Sequence, residues 1–330
     1  VLTSTQAGRL APLVLALCIL IGAAGDAVAG PAPSQPTRPA PPSSAEIDVP
    51  LREAIGAGAA RRAPSPAAAR RGQGTSAPRL FPETRVVTVY GAPQLDATIV
   101  GDRSPSKAAD EALRLSTRYG EVDPRSAQPG IDLIAVVATA DRGPDNLYRT
   151  RQSAQLIGTY LDAARSVGGR LVLDIQPGRS TFVREVKALD EWIAEPNVDV
   201  ALDPEWNVGR KGVPGVTTGK VKSREVDRVS RHLAQVVTSG GLPQKALYVH
   251  QFREGSVRKR NRIVQRGAKV AVTLNFDGIG DPAAKTAGYA NLSQPGLFNG
   301  FSIFVSRDSN VMGFRRVVAL EPPPDYVMYQ

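Results

Sequence analysis

Near the middle of this 330-residue chain, the run NVDVALDPEWN (197–207) reads as a β-strand that ends on two acids. Asp203 and Glu205 arrive together, with Trp206 beside them. Two carboxyls at one spot can divide acid and base roles between them, and an aromatic ring offers a flat apolar face. The same late placement of polar groups recurs along the chain. Asp174 and Gln176 close LVLDIQP (171–177), and Tyr248 and His250 close ALYVHQF (246–252). Asn275 and Asp277 close VAVTLNFDG (270–278) after Thr273, and Tyr90 follows Thr88 in RVVTVYG (85–91). Ser302, Ser306 and Asp308 share one face of the run that begins at GFSIFVS (300–306).

Side chains alternate across a strand. That period puts Leu171, Leu173, Val200, Leu202, Leu247, Val249, Val272, Leu274 and Phe276 on one face and the polar groups on the other. A single Asp at a strand end is more often a cap for the next element, and a single His is more often structural. Several strands delivering acids, amides and an imidazole to one side point to a site, because buried ionisable groups cost free energy unless paired or used.

Composition removes several chemistries. The one cysteine, Cys18, lies in an N-terminal apolar run, so a chain cleaved after that run has no thiol nucleophile, thiolate metal site or disulfide. Two histidines, His232 and His250, do not make a multi-histidine zinc centre. There is no G-x-S-x-G and no Walker loop. Carboxylates and aromatics remain, the equipment for protonating a glycosidic oxygen and stacking on a pyranose ring. On that reading Glu205 is the general acid, its proton held by repulsion from Asp203, Asp174 and Asp277. Asp203 steadies developing positive charge or orients the substrate, and Asp277 is the first candidate for the second carboxylate. Gln176, Tyr90, His250 and Asn275 bind hydroxyls or an acetamido group, with Asp174, Trp206, Tyr248 and Asp308 in the same binding site. No metal or cofactor is expected.

The elements that must position these residues alternate. Eight strand-like runs, the six above with LIAVVATA (133–140) and YVMYQ (326–330), are separated by helical patterns. Helices are expected over 146–169, 180–195 with Ser180 as N-cap, 223–241 ending in glycines, and 254–267. Eight such repeats over residues 85–330 predict an α/β fold, a (β/α)8 TIM barrel with its site at the strands' C-terminal ends. The rival is a doubly wound open sheet, and no G-x-G-x-x-G follows the first strand to favour a dinucleotide-binding version. With the eighth strand at the chain's end, an outer helix would be lacking, and residues 47–60 are the candidate cover.

The motif ALDPEW resembles the D-x-E that ends the fourth strand in chitinase-type and muramidase-type glycoside hydrolase barrels. That resemblance implies a catalytic Glu205 with Asp203 beside it. The longer chitinase pattern, D-x-x-D-x-D-x-E, is incomplete, since Val198 and Ala201 stand where it has acids. Muramidase barrels also carry an acid on the first strand, where this chain reads VVTVYG. The blocks LVLDIQPGRS, VALDPEW, YVHQF and YVMYQ are also similar to a group of secreted bacterial barrel proteins, a resemblance that supplies no activity.

The ends of the chain set its expected location. Residues 1–29 read as a signal peptide: Arg9, the apolar LAPLVLALCILIGAA, and Ala27-Val28-Ala29 as cleavage site. The run is short for a membrane span, which needs about 20 residues, and a retained anchor is the alternative. Lipidation at Cys18 would need a small residue where Leu17 stands. Residues 30–84, rich in Pro, Ala, Ser and Arg, read as a disordered tether. The formal charge is +10, of which the tether holds +3 and the folded part +7. A secreted or envelope-associated basic protein meets anionic envelope polymers. The run VRKRNR (257–262) reads as a solvated helix face, and no nucleic-acid module is present. The leading function is cleavage of a cell-envelope or environmental polysaccharide. Two alternatives stand beside it: a non-catalytic carbohydrate- or wall-binding barrel, and a phosphodiesterase-like hydrolase using Ca²⁺ or Mg²⁺ with His250 as base.

Overall fold

The structure, a computed structural model, describes residues 79–330. The expected signal peptide, most of the expected tether and the candidate cover at 47–60 lie outside the described residues. Eight parallel strands form a closed barrel: β1 (Thr84–Gly91), β2 (Ser126–Ala138), β3 (Arg170–Ile175), β4 (Val198–Leu202), β5 (Lys245–Gln251), β6 (Val270–Phe276), β7 (Phe298–Ile303) and β8 (Tyr326–Tyr329). Closure runs through β1, which pairs with β8 at Val86↔Tyr326 and with β2 at Val86↔Gln128. This is the TIM-barrel α/β fold.

Helices α1 (Pro105–Gly120), α2 (Ala154–Ser166), α3 (Phe182–Lys187), α4 (Asp190–Ile193), α5 (Ser223–Gly240), α6 (Pro282–Leu292) and α7 (Phe314–Val318) flank the barrel. Their apolar stripes meet the outward residues of the strands. In α5, Val226, Val229, Leu233 and Val237 recur at helical spacing and are buried, each contributing about 1.5–3 kcal/mol. The helix stops at Gly241, whose φ of 59° is left-handed.

Three helical expectations change. Residues 146–153 are not helical: Asn146 and Tyr148 take positive φ, and Arg149–Arg151 pairs antiparallel with the end of β2. The run 180–195 breaks into α3 and α4 at Leu189, and Thr181 caps α3 in place of Ser180. No α-helix forms over 254–267. Gly255 and Lys259 are both left-handed, Val257–Arg258 pairs in parallel with Val221–Lys222, and a single 3-10 turn follows at Arg260–Arg262. Leu80 and Phe81 are buried, both their N–H groups donate to Gln244 Oε1, and the Phe81 ring meets Tyr248 and Phe298.

Inside the barrel, small and large residues interdigitate, as a packed interior requires. Ala201, Ala246 and Ala271 leave room for the stacked rings of Tyr248 and Tyr326, 3.9 Å apart. Gly300 is held to glycine by the same packing. A Cβ there would come within 2.7 Å of Asn275 Oδ1 and 2.9 Å of the Tyr326 ring.

Candidate functional site at the C-terminal mouth

Asp174 precedes the last residue of β3 and Gln176 lies just past the end of that strand, Asp203 follows β4, His250 precedes the last residue of β5, and Asn275 and Asp277 flank Phe276, the last residue of β6. All point inward, as the alternating pattern predicts, and Tyr90 joins them from β1. Asp203 has two roles. Its Oδ1 accepts from Glu205 N at 3.2 Å, capping the 3-10 turn Pro204–Trp206, while Oδ2 faces Gln176 Nε2 at 3.5 Å. That turn lifts Glu205 and Trp206 to the mouth, where both are half-buried. Gly219 backs it so closely that a Cβ would lie 2.4 Å from Pro204 O.

The imidazole of His250 is the hub. Asn275 Nδ2 donates to Nδ1 at 3.0 Å and to Ser302 Oγ at 2.8 Å. With Nδ1 accepting, the imidazole proton sits on Nε2, 3.9 Å from Asp174 Oδ2. Asp277 Oδ2 lies 3.6 Å from Nδ1. Asp174 Oδ1 accepts from the backbone N of Ile175, and its Oδ2 has no partner.

Unpartnered polar atoms gather here. Among the described residues, nine buried side-chain atoms have no hydrogen-bond partner, and seven of them lie inside the barrel from its middle to its mouth: on Asp132, Asp174, Tyr248, His250, Thr273, Asn275 and Asp277. Native interiors leave few such groups, and each asks for an explanation.

Burial sets the protonation. It raises Asp174 well above the usual carboxylate range, with Asp132 adding repulsion. Asp203 rises through burial and then through Asp174 and Glu205, and Asp277 through burial and then Asp203 and Glu205. The same burial pushes His250 down to about 4. Glu205 is raised by burial, against the pull of Arg253 and Arg307. The repulsion expected to hold its proton runs the other way. Glu205 is half-buried and faces two cations that oppose its rise, and its charge in turn adds to the rise of Asp203 and Asp277.

Two expected site residues are engaged elsewhere. Asp308 forms an ion pair with Lys285 and accepts from Gly280 N and Phe304 N at 3.1 and 2.9 Å, which fixes the turn after β7. Tyr248 lies in mid-barrel, fully buried against Tyr326, beneath the mouth. Sequence reasoning missed Asp132. It is buried on β2, accepts from Tyr326 Oη at 2.6 Å, and is pushed up to about 7 by burial. Its signal was present: Gly130, Asp132 and Ile134 alternate, but the strand was expected to start at 133.

Among the described residues, no group of three or more His, Cys, Asp and Glu side chains is arranged to hold a metal ion. A cleft of about 610 Å³ opens at the opposite end of the barrel, lined in part by Pro82, Phe298 and Pro322. Its charged groups are already paired, Asp123 with Arg85 and Arg125 with Asp325.

No protein-family model matches the chain, and no curated protein is similar to it. Among solved structures, it is similar to a sugar phosphate isomerase/epimerase from Parabacteroides distasonis ATCC 8503. The identity is 11%, the match covers 74% of this chain and 86% of that one, and the TM-score is 0.29. A likeness that low does not bear on the chemistry of the site.

Proposed function

We propose that this protein is an exported glycoside hydrolase that cleaves a cell-envelope or environmental polysaccharide with two carboxyl groups. One observation carries the reading: Glu205 and Asp277 both reach the mouth, in environments that differ in burial and in the cations that face them. Burial raises Glu205, and Arg253 and Arg307 oppose that rise. Asp277 has only 15% of its side chain exposed and is held well above the carboxylate range. Paired groups whose environments push them apart divide the acid and base roles. Asp277 then gives its proton to the glycosidic oxygen as that bond breaks. Glu205, as the carboxylate, acts on the anomeric carbon as nucleophile or through a water. This reverses the roles expected from the D-x-E motif alone.

The floor fits a polyol. Asp174, Asn275 and Asp277 offer unpartnered acceptors, and His250 Nε2 offers a donor. A sugar ring carries both donors and acceptors and would satisfy them. Export rests on the apolar N-terminal run and its A-x-A site.

The test compares the full-length chain with its Asp277→Asn and Glu205→Gln variants on a glycan panel that includes peptidoglycan, and on aryl glycosides. The parent releases product. Asp277→Asn slows glycan cleavage by about 10²–10⁴-fold but spares aryl glycosides, whose leaving group needs no proton. Glu205→Gln loses both. Full activity in both variants would remove these residues from catalysis, and binding without cleavage by the folded parent would make the barrel a non-catalytic sugar-binding module.

A further inference from the structure

The net positive charge of the described residues is concentrated in one place. Residues 203–222 and 252–266, which follow β4 and β5, carry ten Lys and Arg against three Asp and Glu. The rest of residues 79–330 carries 24 of each sign. The two segments are joined by a short parallel pair, with Val221 opposite Val257 and Lys222 opposite Arg258. The valines are buried and the cations exposed. Neighbouring strands lie about 5 Å apart, and like charges placed opposite each other destabilise the pairing.

Nothing nearby relieves that repulsion. Among the described residues, neither Lys222 nor Arg258 has an acid within ion-pair distance, and the same holds for Arg210, Lys211 and Lys220. The strip begins at the mouth, where Arg253 acts on Glu205. It continues past Arg258 to Arg260 and Arg266, in the stretch between β5 and β6 that has no α-helix. Arg260 pairs with Glu254 and Arg266 with Asp227. A fold that holds unpaired cations side by side next to a reactive carboxyl is stabilised when an anion lies along them.

We infer that the substrate is an acidic glycan, a polysaccharide bearing carboxylate, sulfate or phosphate groups, laid from Glu205 across Lys222 and Arg258. This rests on the hydrolase reading and names its substrate class. The choice of a glycan over a nucleic acid follows from the floor. Its carboxyls and unpartnered acceptors suit the hydroxyls of the reacting unit and would repel a phosphodiester there, while the strip takes the charges of the flanking units.

The experiment measures binding of the full-length chain to two matched pairs: polygalacturonate with its fully methyl-esterified form, and dextran sulfate with dextran. Parent, Lys222→Glu/Arg258→Glu and Glu205→Gln are compared at 50 and 200 mM salt, with melting temperatures as a check on folding. The parent should bind at least one charged polymer about tenfold or more tightly than its neutral partner, with affinity falling as salt rises. The double charge reversal should lose about tenfold on that polymer and leave binding of the neutral partner and the melting temperature unchanged. A Lys222→Ser/Arg258→Ser variant repeats the measurement if the reversal unfolds. Glu205→Gln should keep the preference for the charged over the neutral polymer.

Three results would overturn the inference: no charge discrimination with either pair, parent-like binding by the double variant, or duplex DNA displacing the acidic polymer. Charge-dependent binding without cleavage would sink the hydrolase reading alone. Glu205-dependent cleavage of neutral glycans only would sink the acidic-glycan inference alone.

Discussion

The two ends of the barrel bury the same kinds of residue and treat them in opposite ways. At the N-terminal end, Arg170 makes a two-pronged contact with Asp199, Nη2 to Oδ1 at 2.8 Å, and Asp199 Oδ1 also accepts from Ala246 N at 2.8 Å. Lys245 Nζ donates to Glu195 O and Val198 O at 2.8 and 2.7 Å. Gln244 holds the backbone of Leu80 and Phe81 and donates to Gly267 O. At the C-terminal end, Asp174, Asp203 and Asp277 lie together, among the described residues without a cation bonded to any of them, and one atom each of Asp174, Asp277 and His250 is left over. The lower end spends its charges on holding the chain. The upper end stores unfavourable electrostatics, as binding and catalytic sites do at the expense of stability.

The comparison breaks most visibly at Arg170. Replacing it with Met leaves Asp199 charged and buried with one backbone donor. That should cost about 3–5 kcal/mol in urea unfolding of the full-length chain. A loss below about 1 kcal/mol would mean that water reaches Asp199 and that the lower end is not the closed structure described.

The upper end should respond with the opposite sign. Asp132 is raised from its ordinary value to about 7, so between about pH 4 and 7 the folded chain binds more protons than the unfolded one. Stability from this group is then lost as pH rises through that window, by up to about 4 kcal/mol at 1.4 kcal/mol per unit. Asp132→Asn cannot titrate. It should match the parent near pH 4 and exceed it at pH 8, read as melting temperature against pH. His250 works in the other direction. Lowered to about 4, it gives stability that is complete above about pH 6.5 and lost as pH falls toward 4. His250→Gln should therefore flatten the acid side of the same curve, and an unchanged acid limb would show that His250 is not buried as the neutral base.

These effects divide what the sequence made legible from what it did not. The barrel and its inward polar set were readable because strand alternation is local: Val200, Leu202 and Asp203 declare their faces within a few residues. Asp132 escaped only because the expected strand begins at Leu133, one residue past it, where the observed strand begins at Ser126. What failed was set by distant partners. Asp308 carries the same local signal as Asp277, yet Lys285 and two backbone N–H groups occupy it. The run at 254–267 looked helical in composition, but Gly255 and Lys259 turn left-handed so that Val257 can pair with Val221. Glu205 lies at the end of a locally legible strand, while the balance between its burial and two arginines depends on loops brought in from β5 and β7.

Tyr248 gives the smallest effect and tests where one end gives way to the other. It was expected to bind substrate, but its hydroxyl is buried in mid-barrel without a partner. An unsatisfied buried hydroxyl costs about 1–3 kcal/mol, and the ring's stacking on Tyr326 does not need it. Tyr248→Phe should thus raise stability by about 1 kcal/mol and leave sugar binding and cleavage unchanged. If affinity fell tenfold at equal stability, ligand would have to reach past His250 into the barrel's middle. The boundary between the stored strain of the mouth and the paired charges of the base would then lie below the Tyr248–Tyr326 stack.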